Sequence, residues 1–377
     1  MTDLPTARLK DRPEDFVVEE LPAYEPAGTG THVYVRFTKT DRTTLDAVQA
    51  LARALSCDPR AAGYAGMKDR RAVTTQTISL EAPRGVDPQE LAQRARGLAL
   101  EGLVVHDAKA HGNKLKPGHL AGNRFAIALR GVATDRVPQV TAALERIGRD
   151  GVPNAFGAQR FGNAGDNADR ALAWLRGRER PPRDRRLQRL LWSSLQSAVF
   201  NAVLDERVRD GSWASALEGD LLKLRASGGL FVCADVQTDR VRASTGEVSP
   251  TGPIIGAKMR WPEGAPAALE QRVANARLGE DFDLAKTRSL GEGSRRALRL
   301  WVDELRWDTQ AEAPPEGADN RNPVGTVTTC VRVYFVLPKG AYATTVLGAA
   351  VTLEERAARE ETGDARDPTH GQREDET

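Results

Sequence analysis

The sequence contains few cysteines and no long apolar segment. Its three cysteines, Cys57, Cys233 and Cys330, are far apart and odd in number. This pattern predicts reduced, buried thiols in a cytoplasmic protein rather than a disulfide framework. No run of about 18 apolar residues occurs, so no membrane span is expected. The first residues also lack the charged-then-apolar layout of a signal peptide.

Several sequence patterns that mark common catalytic sites are also missing. His106, His111 and His119 cluster in the chain, but no cysteine pair or His-x-x-His accompanies them, so no metal site is expected. Gly118-x-x-x-Gly122 is not followed by Lys-Ser/Thr and therefore predicts no phosphate loop of the Walker kind. No Gly-x-Ser-x-Gly occurs, which argues against a serine hydrolase of the α/β type.

The overall composition is that of a globular chain with a basic body. Its 377 residues are 40% apolar and 28% charged, enough for two domains or for one domain that carries a large insertion. The net charge is +2, but residues 354–377 hold nine acids against four arginines, which leaves +7 for residues 1–353. That excess suits a nucleic-acid partner. Residues 354–377 have no hydrophobic period and are predicted to be a disordered tail.

The order of apolar patterns predicts a mixed α/β sheet domain with a separate middle region. Alternating strands and helices fill the first part of the chain, and a strand over 326–337 leads into a final helix. Seven arginines between positions 176 and 189 indicate a domain boundary. After a long helix, the residues up to about 300 are predicted to form short strands and loops, then a helix near 294–305 and a polar loop over 311–323. The middle is therefore interpreted as an insertion.

The stretch 63–76 holds the strongest candidate for chemistry. Asp69 lies between Lys68 and Arg70, after two glycines and before a strand-like segment. Cationic neighbours favour the charged carboxylate, which would act as an acceptor or nucleophile rather than as an acid. They would also attract a polyanion. By local preference alone, an aspartate in a glycine-flanked turn is a turn former or a cap.

Other candidates have ordinary structural explanations when each is considered singly. Phe16 fits a core position, Asn154 a turn and Phe156 a packing residue. Tyr342 could cover the start of a helix, and an arginine run is commonly a solvated face.

Four segments together carry a family resemblance. They are Gly66-x-Lys-Asp69 within 63–76, Lys114-Leu-x-x-Gly-x-Leu-x-Gly-Asn-x-Phe125, Pro153-Asn-x-Phe-Gly-x-Gln-Arg-Phe-Gly162 and Leu337-Pro-x-Gly-x-Tyr-Ala-Thr-x-Val346. This set resembles the TruD family of tRNA pseudouridine synthases. The resemblance implies a mixed, largely antiparallel sheet with helices and an inserted α/β TRUD domain. It implies a split catalytic domain at 1–179 and 301–353 and an insertion at 180–300.

The resemblance also implies roles for single residues. Asp69 would be the essential aspartate, Lys10 the basic residue that keeps it ionised, and Phe16 and Tyr342 the aromatic walls. Asn154 would hydrogen-bond near the base and Asp69, and Phe156 would shape the pocket floor. The residues expected at RNA phosphates are Lys68, Arg70, Arg71, Arg160, Arg183 and Arg185.

The implied function is the conversion of uridine 13 in the D arm of tRNA to pseudouridine. No cofactor and no metal are expected, tRNA is the partner, and the protein is expected to be a monomer. Whether the carboxylate attacks C1′ or removes a ribose proton to give a glycal stays open. Two alternatives also stay open: an RNA-binding or chaperone protein without catalysis, and a synthase that prefers another RNA.

Overall fold

The computed structural model describes residues 3–162, 164–312 and 327–355. Its helices are α1 (Thr44–Ala54), α2 (Pro88–Arg96), α3 (Val137–Asp150), α4 (Asn167–Leu175), α5 (Arg185–Arg209), α6 (Val236–Ser244), α7 (Gly264–Leu278) and α8 (Ala343–Leu347). Its strands are β1 (Thr6–Leu9), β2 (Phe16–Pro22), β3 (His32–Thr40), β4 (Gly63–Tyr64), β5 (Val73–Glu81), β6 (Ala99–Leu100), β7 (Leu103–His111), β8 (Leu120–Ala133), β9 (Val152–Pro153), β10 (Leu221–Leu224), β11 (Leu230–Val232), β12 (Val248–Ile254), β13 (Ser294–Ala297), β14 (Arg299–Leu300), β15 (Asp303–Ala311), β16 (Thr328–Pro338) and β17 (Thr352–Glu355).

One large sheet joins the beginning and the end of the chain. Its main path runs β15-β16-β8-β2-β5-β3-β7-β6, with β1, β17 and β4 attached beside it. Most neighbouring strands are antiparallel, and the parallel pairs are β2 with β5 and β1 with β17. The predicted fold class, a mixed and largely antiparallel sheet with helices, is confirmed.

Helices cover this sheet because its strands alternate buried and exposed side chains. Val33, Val35 and Phe37 of β3 are all fully buried, as their spacing predicts, and they pack in one core with α1 and α2. Helix α1 begins where the sequence predicts, because the Thr43 hydroxyl accepts a hydrogen bond of 3.1 Å from the Asp46 amide. A second core lies between the sheet and helices α3 and α8.

The middle of the chain forms a second, four-stranded sheet in the order β11-β10-β12-β13. All four strands come from residues 221–297, whereas the strands of the large sheet come from residues 6–133 and 303–355. The long helix α5 packs against α4 and α7 in a core of its own. Strands β9 and β14 form a separate antiparallel pair, which joins the segment just after α3 to the segment just after β13.

The predicted helix near 294–305 is wrong, because these residues form β13, β14 and the start of β15. Arg295 pairs across the sheet with Pro253 of β12, and its guanidinium is buried against Glu270 of α7. Contacts with distant segments thus override the local helical pattern of residues 294–305. The prediction of only short strands and loops before 294 also missed two helices, α6 and α7.

Two predicted segments lie mostly outside the described residues. The polar loop over 311–323 is described only at Ala311, which ends β15, and at Glu312. Of the predicted tail, only its first two residues are described, and they belong to β17, which pairs in parallel with β1. The rest of the tail, from 356 onward, is outside the described part of the chain.

The three thiols are free and buried, which confirms that sequence prediction. Burial raises the pKa of the Cys233 thiol to about 12, so this group stays protonated at neutral pH. Across residues 3–162, 164–312 and 327–355, no helix has both the length and the apolar character that a membrane span needs.

Candidate active site

A cavity of about 230 Å³ contains Asp69 and is lined in part by residues of strands β2 and β8. We call it the aspartate cavity. The residues that line it are Lys10, Phe16, Val18, Met67, Lys68, Asp69, Asn123, Phe125, Gln159, Ala341, Tyr342, Ala343 and Thr344. The fold therefore brings together five of the residues singled out from the sequence: Lys10, Phe16, Lys68, Asp69 and Tyr342.

The loop that carries Asp69 connects β4 to β5 and is held close to the segment around Leu115. Gly63 permits this approach, because a Cβ at that position would lie 2.2 Å from the Leu115 carbonyl oxygen. Gly66 has no such constraint, since its nearest neighbour would be the Lys68 ammonium at 3.9 Å. Of the two glycines before Asp69, Gly63 is therefore the one that the packing requires.

The Asp69 carboxylate faces the cavity with a cation beside it. The side chain is 48% exposed, and its Oδ2 accepts a hydrogen bond of 3.1 Å from the Lys10 ammonium. Lys10 has a φ of 60°, a conformation that costs a side-chain-bearing residue on the order of 1–3 kcal/mol. Its ammonium also lies 4.4 Å from the centroid of the Phe16 ring. The strained lysine is thus fixed between an aromatic ring and the carboxylate.

The two aromatic residues line the cavity in different ways. Phe16 is only 4% exposed, and its ring meets the Phe125 ring edge to face at 6.3 Å. It is therefore a core residue that also lines the cavity. Tyr342 precedes α8 and is half-buried, so more of its ring is accessible.

Asn154 and Phe156 do not line the aspartate cavity. Asn154 is 8% exposed, and its amide donates 2.8 Å to the Ala297 carbonyl and accepts 2.5 Å from the Arg296 guanidinium. The Phe156 ring packs edge to face against Phe200. Both residues line a neighbouring, larger cavity. The structure therefore places Asn154 away from the aspartate cavity, where the resemblance implies a place near Asp69, and Phe156 away from the floor of that cavity.

The basic residues expected at RNA phosphates differ in how accessible they are. The Lys68 ammonium is 2.9 Å from the buried Glu20 carboxylate, which does not fit the predicted contact with a phosphate. Arg71 is partly buried and donates 2.9 Å to the Asp11 carbonyl. Arg70, by contrast, has a side chain that is 64% exposed.

The remaining three predicted arginines lie further along the chain. Arg160 lines the larger cavity and donates 3.2 Å to the Ser197 hydroxyl. Arg183 and Arg185 are exposed at the start of α5, on either side of its N-cap Asp184. In the described part of the chain, no three His, Cys, Asp or Glu side chains are arranged to hold a metal ion.

Lys39 is a residue of this site that the sequence analysis missed. It is fully buried, and its ammonium donates 2.6 Å to the backbone carbonyl of Asp69. Extending the alternation of Val33, Val35 and Phe37 by two residues would have placed Lys39 on the buried face of β3. Burial lowers the pKa of Lys39 to about 8, helped by Lys68 and opposed by the charges of Asp69, Asp41 and Asp46.

Lys39 makes the stability of the fold depend on pH in the alkaline range. In the folded chain it loses its proton near pH 8, whereas an unfolded lysine keeps its proton to roughly pH 10.4. Between these values the unfolded state binds more protons, so the free energy of unfolding rises with pH. We therefore expect the wild type to gain stability relative to Lys39→Met between pH 8 and pH 10, as measured by urea unfolding. Lys109→Met, at an exposed lysine, is the control. A difference in stability between the wild type and Lys39→Met that does not change with pH would contradict the lowered pKa of Lys39.

Comparisons with known proteins show which family the chain belongs to. A family model described as tRNA pseudouridine synthase D (TruD) matches residues 2–170 and 182–349. The chain belongs to the TruD family. Members of the TruD family are pseudouridine synthases, so the chain is an enzyme of the isomerase class.

Relatives match along most of their own length. A TruD from Anaeromyxobacter sp. strain Fw109-5, named tRNA pseudouridine synthase D, is 45% identical over 344 residues, which cover 90% of each chain. One from Geobacter metallireducens, with the same name, is 37% identical and covers 90% of this chain and 93% of its own. A crystal structure of a TruD from Methanosarcina mazei superposes with a TM-score of 0.70 over 93% of this chain and 94% of its own. At 23% identity, this last similarity shows that the fold is shared.

Proposed function

We propose that the protein converts uridine 13 in the D arm of tRNA to pseudouridine, with Asp69 as the nucleophile. The observation that carries this proposal is the exposed Asp69 carboxylate in a cavity that Lys10 and Tyr342 also line, in a chain of the TruD family. The relatives' names supply the substrate class, tRNA. The position within tRNA and the role of Asp69 come from the motif resemblance.

The proposed reaction rearranges bonds within one nucleotide. The N1–C1′ bond of uridine breaks, the base turns, and a C5–C1′ bond forms. C5 loses a proton and N1 gains one, so atoms and electrons balance without an oxidant or a reductant. Asp69 either attacks C1′ or removes a ribose proton to give a glycal, and both routes need a carboxylate beside the sugar. Neither route calls for a cofactor.

The residues around Asp69 would prepare it and the nucleotide for this step. The Lys10 ammonium donates a hydrogen bond of 3.1 Å to the Asp69 carboxylate and restrains its position. The target uridine must leave its stack at a cost of a few kcal/mol. Stacking on an aromatic ring returns about 1–3 kcal/mol per base. Tyr342 is the more accessible ring for this purpose, and Phe16 contributes the inner wall.

We further propose that two parts of the chain form domains with different roles. Residues 1–179 and 301–353 form the catalytic domain, and residues 180–300 form an inserted TRUD domain that helps to clamp RNA. The exposed Arg70, Arg183 and Arg185 contact phosphates, which contribute affinity more than sequence choice. The protein acts as a monomer. The three reduced thiols fit the cytoplasm, where tRNA is also found.

The test of this function is to map pseudouridine in total RNA from cells with and without this gene. We expect one position, uridine 13 of tRNA, to lose its pseudouridine when the gene is absent, and purified protein to restore it on an unmodified transcript. A loss confined to another RNA would favour a synthase with a different substrate. Binding of tRNA without any change in pseudouridine would favour the non-catalytic alternative.

A further inference from the structure

A second cavity adjoins the aspartate cavity and is the larger of the two, with a volume of about 650 Å³. We call it the arginine cavity. The cationic residues that line it are Arg160, Lys223, Arg225, Arg295, Arg296, Arg299 and Lys339, and the one acidic residue is Asp303. Its size is in the range of cavities that hold small ligands.

Most of these cations form no ion pair with a carboxylate in the part of the chain that the structure describes. Arg295 is paired with Glu270, and Arg225 with Asp303. The other five cations have no carboxylate within 4.0 Å among the residues that the structure describes. Charges that are partly removed from water without a counter-charge are costly, so this arrangement favours an anionic ligand.

Arg296 is held in a fixed position in this cavity. Its Nη2 donates 2.5 Å to the Asn154 side-chain oxygen, and its Nε donates 3.3 Å to the Asn154 carbonyl. The guanidinium lies 4.1 Å from the centroid of the Phe156 ring. Burial lowers the pKa of Arg296 to about 10, so the group is still charged at neutral pH. Asn154 and Phe156 thus fix an arginine rather than contacting Asp69.

The arginine cavity and the aspartate cavity share one segment of chain. Pro338 and Lys339 line the arginine cavity, whereas Ala341 and Tyr342 line the aspartate cavity. The guanidinium of Arg296 lies 3.5 Å from the carbonyl oxygen of Gly340, which is between these two pairs. A strand with one nucleotide in the aspartate cavity would therefore carry its next phosphate toward Arg296.

We propose that the arginine cavity binds the phosphodiester that flanks the target uridine, with Arg296 as its central contact. This inference rests on the proposed function, because it takes the ligand to be an RNA strand that also reaches Asp69. Arg296 is then a substrate-binding residue, and Asn154 and Phe156 are positioning residues that act through it. Planar guanidinium groups suit phosphate oxygens, which they can contact with two donors.

The test is the salt dependence of tRNA binding by the full chain. Each phosphate contact contributes about −0.7 (single strand) to −0.9 (duplex) to the slope of log K against log salt. We expect Arg296→Gln to weaken tRNA binding about tenfold or more and to reduce the magnitude of the slope by about 1. Glutamine can still donate to Asn154, which limits the structural disturbance. Arg209→Gln, an exposed arginine of α5 outside both cavities, should leave affinity and slope unchanged.

A second variant guards against a folding defect, and an assay of pseudouridine formation by the wild type tests the proposed function independently of the salt dependence. If Arg296→Gln fails to fold, Lys339→Gln replaces it, since Lys339 is exposed on the same cavity. A wild-type slope in the folded variant overturns the inference, even if the wild-type protein makes pseudouridine. A reduced slope supports it, even if the wild type makes none, in which case the proposed function alone is wrong.

Discussion

Replacement of Asp69 by asparagine is expected to abolish pseudouridine formation while tRNA binding is retained. The amide has nearly the same size as the carboxylate, but it can neither attack C1′ nor accept a ribose proton. Loss of a nucleophile commonly lowers kcat by at least about a thousandfold. Because Asp69 is the anion in a cationic surrounding, its neutralisation should not weaken the binding of a polyanion.

This prediction is checked by two assays on the same protein. Release of tritium from tRNA labelled at C5 of uridine measures turnover, because C5 loses its hydrogen in the reaction, and filter binding measures affinity. Asp281→Asn is a matched control, because that aspartate is 92% exposed and lines neither the aspartate cavity nor the arginine cavity. Turnover by Asp69→Asn at the wild-type rate would show that Asp69 is not the nucleophile.

Arg207→Met is expected to lower the free energy of unfolding more than any of the other variants proposed. Arg207 and Asp220 are both buried, and two hydrogen bonds of 2.9 Å join the guanidinium to the carboxylate. Arg207 also donates to the carbonyls of Ser212 and Ser215, so it ties the end of α5 to the segment before β10. Removing it leaves the buried Asp220 carboxylate without its counter-charge, which costs about 3–5 kcal/mol. The measurement is the free energy of unfolding in urea.

Two companion variants separate the buried ion pair from other effects. Arg209→Met changes an arginine two residues further along the same helix, but there the side chain is 66% exposed and a small change is expected. The double variant Arg207→Met/Asp220→Leu removes both buried charges and should recover part of the lost stability. Wild-type stability in Arg207→Met would contradict the importance of this pair.

Local patterns in the sequence predicted several elements correctly. Helix α1 begins beside its Thr43 cap, and β3 buries the side chains that alternate along it. These features depend on residues close together in the chain, and short-range hydrogen bonds and burial periods determine them. Residues 294–305 show the limit of this approach, because pairing with β12, β9 and β16 makes them strands.

The sequence by itself determined the family of this protein, the acidic residue in its basic loop and the sheet-forming character of both ends of the chain. Only the tertiary structure decided what surrounds that residue. In the structure, Lys10 donates a hydrogen bond to the Asp69 carboxylate, the buried Lys39 donates to the Asp69 carbonyl, and Asn154 accepts a hydrogen bond from Arg296. These neighbours are 59, 30 and 142 positions apart in the chain. No local periodicity spans such separations, because these contacts form only when distant segments of the chain pack against one another.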